Sequence, residues 1–190
     1  MKKNIHNYKN SRGFTVLETL VAIAVLIVSL TAAFSVAQNG LSTSMSARDE
    51  VSAYYLAQEA VEMIKNIRDN NSINGDPWLT GIAGNSSDPC YFGNYCVIDS
   101  PNEYFAICSG STAEDCPLLK QDKTANSVTL GMYGAEPVAT ASWDTTNFRR
   151  SINIKQINSD EIAVNVTVSW SKGAFSNKFV MRENVFNWQR

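Results

Sequence analysis

With 190 residues and a formal net charge of −2, the chain has room for one domain with a sizeable core, and its overall charge balance does not indicate DNA binding. Its one histidine, His6, lies in the first thirteen residues, so residues 14–190 have no imidazole for a Ser-His-Asp or Cys-His mechanism or for a metal site. No paired-carboxylate motif and no aspartate-rich calcium loop stands out, and neither catalysis, nor a cofactor, nor a metal is expected.

Residues 1–13, MKKNIHNYKNSRG, carry Lys2, Lys3, Lys9 and Arg12 and no acid; their removal would shift the net charge from −2 to −6. A basic head ahead of an apolar stretch reads as a topology signal that stays on the cytoplasmic side of a membrane. Residues 14–37, FTVLETLVAIAVLIVSLTAAFSVA, come next with a single charge, Glu18, and no Pro or Gly. As a helix they would span about 36 Å, enough to cross a bilayer.

The helical signal continues but changes character. Across 41–67 the sequence is mixed polar, with Leu56, Ala60, Met63 and Ile67 spaced 4, 3 and 4 apart as one apolar stripe. Asp69-Asn70-Asn71-Ser72 and Asn74-Gly75-Asp76-Pro77 read as a stop. One helix over 14–69, roughly 80 Å long, is predicted, apolar all round in 14–37 and amphipathic in 38–69.

Residues 70–127 form an irregular, turn-rich region with short strand candidates at Tyr95–Asp99 and 104–108. It holds all four cysteines, Cys90, Cys96, Cys108 and Cys116, whose spacing lacks the short pairs of a zinc site. An even count in a loop-rich stretch suits disulfides formed in an oxidising compartment. Four cysteines allow three pairings; the expectation is the two local ones, Cys90 with Cys96 and Cys108 with Cys116, each worth roughly 2–3 kcal/mol.

Residues 128–190 read as a β-meander. Ile152, Ile154 and Ile157 alternate imperfectly within 148–157, Asn158-Ser159-Asp160 is a turn, and Ile162, Val164, Val166, Val168 and Trp170 share one face of a strand over 161–170. Ser171-Lys172-Gly173 is a second turn, and 175–188 supplies the last strand or pair. Trp78, Trp143, Trp170 and Trp188 read as core or sheet-face residues.

The most informative segment is Ser11-Arg12-Gly13-Phe14-Thr15-Val16-Leu17-Glu18, with the apolar run behind it. It resembles the prepilin cleavage and methylation site of type IV pilins and type II secretion pseudopilins. The resemblance implies that a membrane prepilin peptidase cuts after Gly13 and methylates the new N-terminal Phe14, leaving Glu18 at mature position five. More weakly, the stretch 54–62 with Ile67-Arg68-Asp69, and the closing residues Val168-Ser169-Trp170 and 183–188, are similar to minor pilins of the PilV kind and the related I pseudopilin.

Each residue also has a physical reason. Gly13 puts no side chain at the scissile bond. An ionised Glu18 costs about 2.5–3.5 kcal/mol at mid-membrane and less near the edge. Its bland role is a first-turn acid that complements the helix dipole, worth roughly 0.3–1 kcal/mol. In the filament that the resemblance implies, the free amine of Phe14 on one subunit meets Glu18 of a neighbour, and two costly charges compensate each other.

The expected fold class is therefore α+β, the pilin fold: a long N-terminal helix, transmembrane in its first half and amphipathic in its second, packed on a C-terminal antiparallel β-sheet domain. Expected partners are prepilin peptidase, other pilin or pseudopilin subunits, an inner-membrane assembly platform and, before assembly, membrane lipid. The expected location is a single pass through the inner membrane with the C-terminal domain outside, then a filament. The competing reading is an extracytoplasmic binding or enzymatic domain behind a signal peptide or anchor, with Ser35-Val36-Ala37 as the small-residue cleavage site. The mature N-terminus separates them: Phe14 for the filament subunit, a start near Gln38 for a secreted domain, Met1 for a plain anchor.

Overall fold

The computed structural model describes residues 13, 15–135, 143–173 and 175–188. Lys2, Lys3, His6, Lys9, Arg12 and the expected new N-terminus Phe14 lie outside the described residues.

A single helix, α1, runs Val16–Asn74, and the chain separates into two compact units, residues 1–47 and 48–190. In the first unit α1 stands alone, and every described residue of it is exposed, including Leu20, Val21, Leu26, Ile27 and Phe34. Helix formation there rests on propensity and on the i→i−4 ladder, because no described residue of that stretch is buried by tertiary packing. Among the described residues α1 is the one helix long and apolar enough to cross a membrane.

In the second unit α1 acquires a buried face. Leu56, Ala60 and Met63 of the predicted stripe are buried and Ile67 packs half-buried beside them, while Ala53, Ala57, Val61 and Ile64 widen the stripe. Three alanines of this face, Ala53, Ala57 and Ala60, are fully buried.

The helix ends later than predicted, at Asn74 rather than near Asp69. The polar residues read as a stop are held helical by their side chains: Asn71 donates to the carbonyls of Trp78 (3.3 Å) and Thr80 (2.9 Å), and Ser72 is buried. Termination comes from Gly75 at φ +79°, with Gly75 N–H donating to Ser72 O and Asp76 N–H to Asn71 O. That is the paired 5→2 and 6→1 closure of a left-handed C-cap.

The sheet has seven strands: β1 (Tyr95–Asp99), β2 (Tyr104–Ile107), β3 (Leu118–Gln121), β4 (Tyr133–Gly134), β5 (Asp144–Asn158), β6 (Glu161–Lys172) and β7 (Phe175–Phe186). β5 is the organising strand. One edge pairs with β6 over most of its length, and the other is shared by β3 near its start and β1 further on. All pairings given for these strands are antiparallel. The architecture is thus α+β, a long N-terminal helix packed on an antiparallel sheet.

The even-numbered residues of β6, Ile162 to Trp170, are all buried against Phe148, Ile152 and Ile154 of β5 and the helix. Several details differ from the sequence expectation. Ile157 is half exposed: three residues beyond Ile154 it has the opposite parity, and β5 is exposed from Lys155 to its end. β6 continues through Ser171 and Lys172, so the turn begins only at Gly173, whose φ of +61° suits glycine. β3 and β4 were invisible to pattern reading, being four and two residues long. Trp170 is buried and Trp78 packs against the core, but Trp188 is 57% exposed, held at the surface by donating its indole N–H to Asp69 (3.0 Å).

Candidate functional site

Gly13 is exposed, and nothing lies near where a side chain would stand. Thr15 opens the helix: the N–H of Glu18 donates to the carbonyl of Thr15 (3.0 Å) and reaches its hydroxyl (3.3 Å). Thr15-x-x-Glu18 is a capping-box spacing, so Glu18 lies in the first turn where the helix dipole favours an acid.

Three other polar side chains of the apolar stretch satisfy themselves. Thr19 donates to Val16 O, Ser29 to Val25 O and Thr31 to Ile27 O, all within one turn. The carboxylate of Glu18 differs from them, having no partner among the described residues. A segment that could lie in lipid therefore presents one unmet charge among its described residues, at its start.

The four cysteines lie far from this helix start in sequence and are all buried. Cys90 is joined to Cys96 (Cα–Cα 5.2 Å), tying the loop after α1 to β1, and Cys108 to Cys116 (4.6 Å), closing the loop between β2 and β3. Ser109 and Thr112 order that second loop, both meeting Asp115. Among the described residues no three His, Cys, Asp or Glu side chains gather as a metal site.

Sequence reasoning missed a buried charged centre in the body. Arg150 is fully buried and donates to Leu56 O (3.0 Å), Glu59 Oε2 (2.6 Å), Ile98 O (2.8 Å) and Ser100 Oγ (3.3 Å). It therefore ties α1 and β1 to β5. Beside it Asp99 is buried, and desolvation pushes its carboxyl above the usual range, against hydrogen bonds from Asn102 and the Ala135 N–H and the charge of Arg150. A signal did exist: in Arg150-Ser151-Ile152-Asn153-Ile154 the arginine shares the parity of the two isoleucines, which puts it on the core face.

Residues 8–34 match the family model described as the prokaryotic N-terminal methylation motif. That match supports the type IV pilin-like family. The matched stretch contains Gly13, Phe14, Glu18 and most of the exposed apolar helix, and it supports a prepilin-type substrate. No curated protein and no solved structure matches the chain.

Proposed function

We propose that the chain is a minor subunit of a type IV pilus, or of a related secretion or competence pseudopilus, and has no chemistry of its own. Prepilin peptidase cuts between Gly13 and Phe14 and methylates Phe14. Until assembly the apolar half of α1 rests in inner-membrane lipid with the body outside. The assembly platform then moves it into a filament, where helices of neighbouring subunits replace the lipid.

The observation that carries this reading is Glu18, without a partner among the described residues, in the first turn of an exposed, uninterrupted apolar helix directly behind Gly13-Phe14. Cleavage frees an amine at Phe14, and that amine on one subunit compensates Glu18 on the next only in the correct register. Methylation keeps the positive charge. The minor role rests on the helix end over 54–69 and the closing strand, which are similar to those of PilV-type pilins.

The test is the N-terminal residue and mass of protein purified from its own membrane or filaments. A methylated Phe14 is expected. A start near Gln38 would mean a secreted domain, and Met1 an unprocessed anchor; either discards the filament reading. α1 continues through Ala37 and Gln38 without interruption, which favours the filament subunit over a cleaved signal peptide.

A further inference from the structure

Among the described residues the sheet exposes one long edge. β7 pairs with β6 over all twelve residues from Lys172↔Phe175 to Glu161↔Phe186, with no register shift, and with no other strand among the described residues. The other free edges belong to β2 and β4, four and two residues long, too short to template a partner. β7 has no proline and no bulge, and among the described residues its far side pairs with no strand and meets the helix only at its end, at Phe186.

The direction of its backbone groups is set by the hairpin. Lys172 and Phe175 face each other across a two-residue connection, so they exchange the first hydrogen bonds, and odd-numbered residues of β7 bond to β6. Ser176, Lys178, Val180, Arg182 and Asn184 then turn their N–H and C=O groups to the free side. At Phe186, also even-numbered, Arg68 Nη1 reaches the carbonyl (3.2 Å) from the helix, as an outward-facing group allows.

The side chains state what can pair there. Lys178 and Arg182 are exposed, four residues apart on one face, with Val180 (54% exposed) between them. Their cross-strand neighbours on β6 are Ser169 and Asn165, so no carboxylate faces either cation. Neither has an ion-pair partner among the described residues. A second β7 is a poor partner: the register centred on Val180 sets Lys178 against Arg182, and like charges opposite each other destabilise.

We propose that β7 is a docking strand, to which an extended acidic segment of another chain adds as an eighth strand, its carboxylates opposite Lys178 and Arg182. Backbone hydrogen bonds supply the attachment and the two cations set partner and register. The inference does not depend on processing at Gly13. The alternative is that the cations only keep the edge unpaired.

The experiment measures binding of two labelled nine-residue peptides to the full chain in detergent micelles. Both alternate valine with polar residues; one has glutamates four residues apart, the other lysines at the same places. The acidic peptide is expected to bind about tenfold tighter. Val180→Pro, which removes one outward N–H without touching the bonds to β6, should abolish binding at an unchanged unfolding midpoint. The double variant Lys178→Glu with Arg182→Glu covers the case in which the proline variant unfolds, and it should reverse the preference. Equal binding of the two peptides, binding retained by a folded Val180→Pro protein, or association of the chain with itself through β7 would each overturn the proposal.

Discussion

The two halves of α1 are one continuous helix with opposite relations to their surroundings. Up to Ala47 no described residue is buried, although most side chains over 16–36 are Leu, Ile, Val, Ala or Phe; beyond Arg48 the helix is richer in charge and yet buries seven apolar residues. Apolar content alone does not decide burial. The second half has a sheet to cover its stripe, and the first has none among the described residues, so its apolar surface is left uncovered. A helix can thus be built for two solvents, each half legible only against its own.

Substitutions can break this contrast. The largest loss is expected from Arg150→Ala, which removes the buried cation shared by Leu56, Glu59 and Ile98; denaturant unfolding of the full chain in detergent should show about 3–5 kcal/mol. Next comes a matched pair in α1. Leu56→Ala should cost the body about 3 kcal/mol through the cavity it leaves, while Leu26→Ala should change body stability by less than about 0.5 kcal/mol. Equal effects would mean that the two halves do not differ as described.

Replacing both Cys108 and Cys116 by serine should cost about 2–3 kcal/mol, and native protein should show no alkylatable thiol. Glu18→Ala should leave the unfolding of the body unchanged, yet lower incorporation into filaments by tenfold or more, read by immunoblot of sheared filaments against membranes. Normal incorporation would end the charge-pair idea.

The smallest effect concerns pH. Burial raises the Asp99 carboxyl above its unfolded value, so its contribution to stability is fully present below the unfolded pKa and is lost as pH rises through the folded one. Asp99→Asn should therefore flatten the stability profile in the mildly acid range and raise stability slightly at neutral pH. An unchanged profile would mean that the carboxyl is not perturbed.

Local and periodic features were readable in the chain before any fold was known. The apolar run with one acid at its start, the helical stripe at Leu56, Ala60 and Met63, and the period-two face from Ile162 to Trp170 each repeat one physical requirement many times, so the pattern outlasts local exceptions. Tertiary structure alone decided what depends on distant partners. The two-residue β4 exists because β3 lies beside it, the helix outlasts its apparent stop because Asn71 reaches Trp78 and Thr80, and Trp188 stays at the surface because Asp69 holds it. Arg150 stands between these cases: its parity was written in the strand, but the carbonyls of Leu56 and Ile98 that make its burial tolerable are 94 and 52 residues away, and only folding brings them to it.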